Sequence, residues 1–244
     1  MPGSVLILGG RSDIGLATAH VFAAAGHNIQ LAARHAQTLS AEQTDLAVRY
    51  GVNVDLVEFD ALDTAHHEAF AKALPVLPDI VICAVGVLGN QAADEKNLSS
   101  AIQVMRSNYE GPAAILSVFA DLFEARGSGT IVGISSVAGD RGRATNYIYG
   151  SAKAGFTAFL SGLRNRLARK GVHVLTVLPG FVATRMTEQL DLPKALTAEP
   201  KEVALAIERA VKGKRNTIYV RPVWALIMLI IRSIPEAIFK RLRL

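Results

Sequence analysis

The sequence predicts an α/β fold, a doubly wound parallel sheet in a single domain over residues 1–220, followed by an amphipathic helical tail over residues 221–244. Three observations lead to this prediction. Short apolar runs of strand length alternate with stretches of helical periodicity, which is the pattern of βαβ units. A glycine-bearing turn separates the first strand from the first helix. At 244 residues and 50% hydrophobic content, the chain can bury one large core without disulfides.

Each strand is predicted from an apolar run that ends at polar or turn residues. Ile80–Val85 is apolar throughout, so we expect it to be buried on both faces of the sheet. The first helix has apolar residues at helical spacing and is closed by Gly26. The predicted strands are Val5–Leu8, Asn28–Ala33, Val54–Phe59, Ile80–Val85, Thr130–Ser135, Val172–Leu178 and Thr217–Val220. The later predicted helices are Ser99–Arg126, Tyr149–Lys170 and Pro200–Lys212.

Composition narrows the class of protein. The single cysteine, Cys83, excludes a disulfide framework within the chain and the sequence has no metal-ligand cluster, so we expect a reducing, cytoplasmic location. The N-terminus lacks a basic segment followed by a long apolar stretch, which argues against a cleaved signal peptide. Residues 221–244 contain five basic residues and one acid, so they carry most of the net charge of +5. The nearly neutral body argues against a nucleic-acid-binding protein.

A glycine-rich turn, Gly9–Gly15, lies between the first strand and the first helix. Its glycines allow the backbone to approach a pyrophosphate at the positive end of that helix. Asp13 is interpreted as the helix N-cap, with its carboxylate directed away from the phosphates. The residues predicted to contact a dinucleotide here are Gly9, Arg11, Ser12, Asp13, Ile14 and Gly15.

The residues after the second strand select the form of the dinucleotide. A carboxylate there binds the ribose 2′-hydroxyl of NAD, whereas a cation binds the 2′-phosphate of NADP. The sequence has Arg34 at this point and no acidic residue from Ile29 to Thr38, so it predicts NADP(H). Arg11 is either a second phosphate ligand or a solvent-exposed residue. Asp60, directly after the third strand, is either a ligand of the adenine amino group or a turn residue.

Tyr149 and Lys153 lie one helical turn apart at the start of a predicted helix and therefore share one face. An ammonium beside the phenol is expected to lower the pKa of Tyr149 from about 10 toward neutrality. Ser136 follows a strand at the edge of the sheet where open α/β folds bind ligands. Together, these side chains predict proton transfer from Tyr149 to a carbonyl oxygen that Ser136 holds.

These motifs, in this order along the chain, resemble the short-chain dehydrogenase/reductase family over residues 4–220, a family with a Rossmann fold. Asp13 departs from the pattern, because the family usually has glycine at that position. The segment Cys83-Ala84-Val85-Gly86 also departs, because it keeps only the last residue of the family's Asn-Asn-Ala-Gly. Cys83 is interpreted as a small buried residue rather than a reactive thiol.

The resemblance implies further site residues. Asn108 corresponds to the family's fourth catalytic residue, which links the lysine to solvent through water. Gly86, Tyr149 and Lys153 are assigned to cofactor binding as well. The segment after the sixth strand corresponds to the loop that meets the nicotinamide carboxamide, through Pro179, Gly180, Val182 and Thr184. The family also implies a homo-oligomer, formed through the Ser99–Arg126 and Tyr149–Lys170 helices.

Four segments are similar to one subgroup of the family, the decaprenylphosphoryl-2-keto-pentose reductases: Phe59–Thr64, Val85–Gly89, Ser135–Gly139 and Ile234–Phe239. Those enzymes reduce a ketone that an FAD-dependent oxidase partner generates on a ribosyl phospholipid. The similarity implies a polyprenyl-phosphate keto-sugar as substrate. Two alternatives stay open: a reductase of a steroid, acyl or polyketide ketone, and a scaffold that binds NADP(H) without turnover.

The tail contains eight consecutive apolar residues, Trp224–Ile231, whereas a membrane-spanning helix needs about 20. Pro235 is expected to divide the tail into two helices. Ile227, Ile231, Ile234, Ile238 and Leu242 fall on one face, and Arg232, Glu236, Lys240 and Arg243 on another. Two interpretations stay open. The tail is either an arm that covers the protein's own core or a dimer partner, or an amphipathic segment that lies on the inner face of a membrane.

Overall fold

The computed structural model describes residues 3–242 and is built on a seven-stranded, fully parallel sheet with the order β3-β2-β1-β4-β5-β6-β9. Arg243, part of the predicted basic face of the tail, lies outside the described residues, as do residues 1, 2 and 244. The strands of the sheet are β1 Ser4–Leu8, β2 Asn28–Ala33, β3 Val54–Glu58, β4 Ile80–Cys83, β5 Gly129–Ile134, β6 Val172–Pro179 and β9 Thr217–Val220. Two short strands, β7 Phe181–Val182 and β8 Thr197–Ala198, pair separately.

Helices cover both faces of the sheet, so the central strands are buried on both sides. In β1, Val5 and Ile7 pack into one core while Leu6 and Leu8 pack into the other, and all four are fully buried. This explains why the strand reads as an unbroken apolar run. The helices are α1 Asp13–Ala24, α2 Ser40–Tyr50, α3 His67–Lys72, α4 Gln91–Asp94, α5 Leu98–Met105, α6 Gly111–Arg126, α7 Tyr147–Leu167, α8 Pro200–Lys212, α9 Val223–Ser233 and α10 Glu236–Phe239.

The predicted fold class is confirmed, but several boundaries differ. The helix predicted over Ser99–Arg126 is confirmed as helical backbone that runs from Leu98 to Arg126, but a π-helical turn, Arg106–Glu110, lies inside it between α5 and α6. The helix predicted over Tyr149–Lys170 begins two residues earlier and ends at Leu167. The strand predicted over Ile80–Val85 ends at Cys83. Helices α2, α3 and α4 and the β7–β8 pair are absent from the sequence prediction, because they are short or weakly periodic.

The tail packs against the carboxyl end of the sheet. Trp224 and Met228 of α9 are buried with Val137 and Leu178, and Ile227 and Ile231 pack beside them. As expected, the chain breaks between α9 and α10 next to Pro235. In α9, the apolar face predicted from the sequence therefore packs against the body of the protein. The opposite face is apolar as well, and Val223, Leu226, Leu229 and Ile230 are exposed there.

Arg141 fixes the tail to the body of the protein. Its Nη1 donates to the carbonyl oxygens of Ile231 and Ile234, each at 2.6 Å, and its Nη2 donates to Glu236 at 2.9 Å. The guanidinium also lies 3.6 Å from the centre of the Phe239 ring. Because these contacts satisfy carbonyl groups at the end of α9, they fix where the helix ends. Within residues 3–242, no helix has the length and apolar character needed to cross a bilayer.

Candidate active site

A cavity of about 720 Å³ opens at the carboxyl ends of the central strands. Residues that follow β4, β5 and β6 line it, as do the first turns of α1 and α7. This is the edge at which doubly wound sheets bind ligands, because the strand order reverses there. Of the predicted site residues, the cavity brings together Ile14, Gly86, Asn108, Ser136, Tyr149, Lys153, Pro179, Gly180, Val182 and Thr184.

The glycine turn is held by its own hydrogen bonds. Gly9 has a φ of 88°, a left-handed conformation that favours glycine, and its carbonyl accepts a hydrogen bond from the Ser12 hydroxyl at 2.8 Å. The Ser12 oxygen in turn accepts from the backbone N–H of Gly15 at 3.0 Å. A Cβ on Gly15 would lie 2.6 Å from the Gly9 carbonyl oxygen, so the turn requires glycine there. The turn and the start of α1 therefore fit a pyrophosphate group.

The expectation that Asp13 caps α1 is wrong, because Ser12 is the N-cap. Asp13 is the first residue of the helix, and its carboxylate accepts hydrogen bonds from the backbone N–H and the Nε of Arg185, both at 2.8 Å. Arg185 Nη2 also donates to the Arg11 carbonyl at 2.6 Å. These contacts join the glycine turn to the segment after β7, and they neutralise a carboxylate that would otherwise face a phosphate-binding turn.

The Arg11 side chain reaches the end of β2, where Arg34 follows the strand. The Arg11 guanidinium donates to the Arg34 carbonyl at 2.8 Å and to Thr38 Oγ1 at 2.5 Å, and the Arg34 side chain is exposed. Sequence reasoning missed Glu58, whose carboxylate accepts from the backbone N–H groups of His35 and Ala36. These hydrogen bonds lower the pKa of Glu58 below its ordinary value. The end of β2 thus has two cations, Arg11 and Arg34, and one anion, Glu58, whose carboxylate is already hydrogen-bonded to backbone N–H groups.

The other predicted dinucleotide contacts have local structural roles. Asp60 accepts a hydrogen bond from the Leu62 N–H at 2.9 Å, which forms a turn after β3. Thr184 is the N-cap of a short turn and shares a hydrogen bond with Thr187 at 3.3 Å. Gly180 lies against Trp224 of the tail, where a Cβ would clash directly with the indole ring. The loop after β6 that is predicted to meet the nicotinamide is therefore backed by α9.

Tyr149, Lys153 and Ser136 form one cluster. Lys153 is only 4% exposed, and its Nζ lies 5.7 Å from the centre of the Tyr149 ring and donates to the Ile134 carbonyl at 3.1 Å. Ser136 follows β5, and its side chain lies near enough to Tyr149 to act on the pKa of the phenol. The neighbouring Ser135 hydroxyl donates to the Lys153 carbonyl at 3.0 Å and so ties the end of β5 to α7. The strand end and the helix start fix the three groups in place.

The pKa of Tyr149 does not follow the sequence prediction. Burial raises it to about 12, and the nearby Ser136 side chain offsets only part of that rise. Burial also lowers the pKa of Lys153 to about 8. Lys153 is buried and Tyr149 is partly buried, and loss of hydration disfavours a phenolate and an ammonium alike. At neutral pH, Tyr149 is therefore a neutral phenol, which is the form that donates a proton.

Asn108 lies inside the π-helical turn and is fully buried. Its Nδ2 donates to the carbonyls of Val87 and Val104 at 2.7 and 2.9 Å, which leaves Oδ1 without a partner among residues 3–242. A Cβ on Gly86 would lie 2.6 Å from that Oδ1 and 3.3 Å from Lys153 Nζ. Only glycine fits between them, and the insertion of one residue in the helix turns Asn108 toward the lysine.

Cys83 is fully buried at the end of β4, as the sequence predicts. Burial raises the pKa of its thiol to about 11, so the thiolate is not populated at neutral pH. Other groups in the site went unrecognised in the sequence. Arg143 and Trp224 line the cavity, and Arg185 reaches the glycine turn. The cavity-lining residues of the 140–146 segment carry no periodic signal that would have identified them.

The fold and the site together define an oxidoreductase that binds a nicotinamide dinucleotide. The sequence profile of the family described as short chain dehydrogenase matches residues 4–195, and the chain belongs to that family. The predicted enzyme class is therefore confirmed. The family match does not reach α9 and α10, which lie beyond residue 195.

Similar proteins agree with this assignment. An uncharacterized oxidoreductase of Streptomyces coelicolor is 38% identical over 99% of this chain and 96% of its own length. A short-chain dehydrogenase from Sphingobium yanoikuyae, solved in complex with NADPH, is 25% identical, with a TM-score of 0.81 over 97% of this chain and 98% of its own. A bulky-bulky ketone specific alcohol dehydrogenase from Comamonas testosteroni is 26% identical, with a TM-score of 0.79 over 96% of each chain.

Proposed function

We propose that the protein uses NADPH to reduce a ketone to a secondary alcohol. The observation that carries this proposal is the cluster of Tyr149, Ser136 and Lys153 in one cavity wall beside the glycine turn. NADPH, when bound, supplies the hydride. Arg11 and Arg34 are the residues that would hold its 2′-phosphate, and the Pro179–Thr184 segment would meet its carboxamide. The Sphingobium relative, solved with NADPH, supports this choice of cofactor.

The proton comes from the protein. Ser136 and Tyr149 bind the carbonyl oxygen, and Tyr149 donates its proton as that oxygen gains negative charge, because an alkoxide is more basic than a phenolate. The ammonium of Lys153 stabilises the phenolate that remains. Asn108 Oδ1, which is unpaired within the described residues and faces Lys153, is placed to bind a water that returns a proton. Ser136 and Tyr149 thus act on the carbonyl oxygen, whereas Lys153 and Asn108 act through Tyr149.

The substrate we favour is the 2-keto group of a polyprenylphosphoryl pentose. The four segments similar to the keto-pentose reductases support it, and so does a cavity with both apolar and polar lining. In that case an FAD-dependent oxidase partner would supply the ketone. The second candidate is a bulky apolar ketone, which is favoured by the similarity to the Comamonas enzyme and by Leu88, Met186, Leu190 and Trp224 around the cavity.

The exposed face of α9 is compatible with a lipid-linked substrate. Leu226, Leu229 and Ile230 are 58%, 64% and 57% exposed, and the exposed cations Arg232, Lys240 and Arg241 lie in the same tail. Apolar side chains beside cations are typical of helices that lie on anionic bilayers. We propose that residues 221–242 contact the inner face of a membrane. Because Trp224 and Met228 are buried in the body, point substitutions test this better than truncation.

We also propose a homo-oligomer. Leu98, Ile102, Met105 and Tyr109 recur at helical spacing along α5 and the π-helical turn, and all four are exposed. An exposed apolar stripe of this kind is typical of a helix that packs against a second copy. The stripe lies on the helical segment through which the family resemblance implies assembly.

The reductase proposal is tested by NADPH oxidation with three ketones: a polyprenylphosphoryl 2-keto-pentose, a bulky aromatic ketone and an acyl ketone. We expect turnover with the keto-pentose to exceed the others, and Tyr149→Phe to abolish it while NADPH still binds. Turnover of the aromatic ketone alone would select the second candidate. Equal rates for Tyr149→Phe and the parent would contradict the assigned proton donor.

Membrane contact is tested by flotation with vesicles of anionic lipid. Leu229→Glu places a charge on the exposed face of α9, and Val48→Glu places one on an equally accessible site of α2, where Val48 is 81% exposed. We expect the parent and Val48→Glu to float and Leu229→Glu to remain in solution. If all three partition alike, the tail does not bind lipid.

A further inference from the structure

Arg143 lies in the wall of the same cavity as Tyr149 and Ser136. It belongs to the segment between the turn Val137–Gly139 and α7, and it is half-buried. Its Nε is buried and has no hydrogen-bond partner within residues 3–242. Burial lowers the pKa of its guanidinium, because a charge that is removed from water loses hydration. A cation in such a place needs an anion to offset the lost hydration.

The described part of the chain, residues 3–242, does not provide that anion. Among the described residues, no carboxylate oxygen lies within 4.0 Å of the Arg143 guanidinium. Asp140 is the acid whose charge acts on it, but the Asp140 carboxylate already accepts a hydrogen bond from the Tyr219 hydroxyl at 2.8 Å. Arg141, two residues earlier, shows the contrast, because it pairs with Glu236 at 2.9 Å. Arg143 therefore lines the cavity without a carboxylate partner among residues 3–242.

Two amides that line the same cavity are also incompletely bonded within the described residues. Gln91 Oε1 accepts from the Ile148 N–H at 3.1 Å, whereas its Nε2 is buried without a partner in the described chain. Asn146 Oδ1 is buried and unpaired as well within residues 3–242. Both residues line the cavity. Buried polar atoms are nearly always paired, so a cationic donor, a neutral donor and an acceptor left unpaired by residues 3–242 around one cavity point to a ligand.

We propose that Arg143 and Gln91 bind an anionic group of the substrate, a phosphate or a carboxylate, while Leu88, Met186 and Leu190 receive its apolar part. This inference rests on the proposed ketone reduction at the same site and names the class of ketone, an amphiphilic anion. Asn146 would accept a hydrogen bond from a hydroxyl group of the same molecule. A guanidinium donates two parallel hydrogen bonds to either kind of anion, so it recognises both.

The binding test uses the full chain and alkyl probes of one length: decyl phosphate, decanoate and decanol. Trp224 is the sole tryptophan and lines the cavity, so its fluorescence reports binding without catalysis. We expect at least one anion to bind more tightly than decanol. Arg143→Gln should weaken that anion's binding about 10- to 100-fold and leave decanol unchanged. The matched control, Arg49→Gln on the exposed surface of α2, should behave as the parent.

The two probes distinguish the two sources of the anion, since a phosphate site would favour decyl phosphate and a carboxylate site would favour decanoate. Equal affinity of the parent for decanol and both anions, or unchanged anion binding in Arg143→Gln with native thermal unfolding, would overturn the inference. If Arg143→Gln unfolds at a lower temperature, Arg143→Lys provides the comparison, because it keeps the charge and should retain part of the affinity.

Kinetics separate this inference from the proposed function. With an anionic ketone, Arg143→Gln should raise KM by the same factor as the probe Kd, while KM for the methyl ester of that ketone should not change. Tyr149→Phe should bind decyl phosphate or decanoate like the parent and lose turnover. If Tyr149→Phe keeps its turnover, the proposed reductase mechanism is wrong. The anion site is tested separately, by the fluorescence titration alone.

Discussion

The two halves of the cleft differ in how their polar groups are partnered. On the nucleotide side, Ser12, Asp13 and Glu58 are all engaged by neighbouring backbone or by Arg185. On the substrate side, the unpaired buried atoms within residues 3–242 include Gln91 Nε2, Asn108 Oδ1, Arg143 Nε and Asn146 Oδ1. These four are among nine such atoms in the described chain, and none of the nine belongs to the glycine turn or the end of β2.

The difference indicates that the nucleotide side is held by hydrogen bonds within the protein, whereas the substrate side has polar atoms that a ligand could bind. The nucleotide side is pre-organised by short local contacts, so affinity there depends on charges added to a fixed turn. The substrate side keeps polar atoms whose bonding is incomplete, which costs stability and is tolerated where a site serves function. Substitutions on the nucleotide side should therefore change the Kd for NADPH. Substitutions on the substrate side should change kcat and the KM for the ketone.

The largest effect is expected for Tyr149→Phe. It removes the hydroxyl that protonates the product oxygen and leaves the ring in place, so kcat should fall by about 10²- to 10⁴-fold. The Kd for NADPH should change by less than about 2-fold. Steady-state kinetics with a fluorescence titration of NADPH measure both. A large rise in that Kd with unchanged kcat would place Tyr149 on the nucleotide side and break the comparison.

Arg34→Ala should produce the next effect, confined to the nucleotide side. Loss of one charged contact to a phosphate costs about 1.5–3 kcal/mol, so the Kd for NADPH should rise about 10- to 100-fold. The Kd for NADH, which lacks the 2′-phosphate, should stay the same. Arg49→Ala serves as the surface control. If NADPH and NADH weaken equally, Arg34 does not read the phosphate and the assignment of NADP(H) rests on Arg11 alone.

The pH dependence of reduction should follow Lys153. Burial lowers the pKa of Lys153 to about 8, so its ammonium is present below that pH and is lost as the pH rises through it. Because the ammonium stabilises the phenolate, kcat for reduction should fall above pH 8, by up to about tenfold per pH unit. Tyr149, with a pKa of about 12, stays protonated over this range. A flat profile between pH 7 and pH 10 would remove Lys153 from the proton path.

Sequence reasoning found the elements whose signal is local. The strands of the sheet follow from apolar runs, and Ser136, Tyr149 and Lys153 follow from spacing and position. It missed features that depend on distant or non-periodic contacts. Arg185 meets Asp13 across 172 residues of chain, and Glu58 reaches the end of β2 from another strand. The π-helical turn at Asn108 is invisible to a 3.6-residue pattern, because one added residue breaks the period. The pKa of Tyr149 depends on burial, which spacing does not report.

The smallest predicted effect concerns the Asp13–Arg185 pair, which tests whether self-pairing on the nucleotide side matters for binding. Both side chains are partly exposed, so their interaction is worth at most about 1 kcal/mol, or about 5-fold in Kd. Arg185→Ala leaves an unpaired carboxylate at the start of α1, next to the expected pyrophosphate, and should weaken NADPH binding about 2- to 5-fold. Asp13→Asn removes the charge and should bind NADPH at least as tightly as the parent.

The double variant, Arg185→Ala with Asp13→Asn, shows how Arg185 affects NADPH binding. If Arg185 acts by neutralising Asp13, then Arg185→Ala should have no effect in the Asp13→Asn background, and the difference should shrink as salt is raised. If Arg185 instead contacts the nucleotide directly, its loss should cost the same in both backgrounds. The first result would mean that the chain tolerates a carboxylate in a phosphate-binding turn because a residue from another loop cancels its charge. The second would make Arg185 an unpredicted ligand, and the nucleotide side would then resemble the substrate side more closely than its hydrogen bonds indicate.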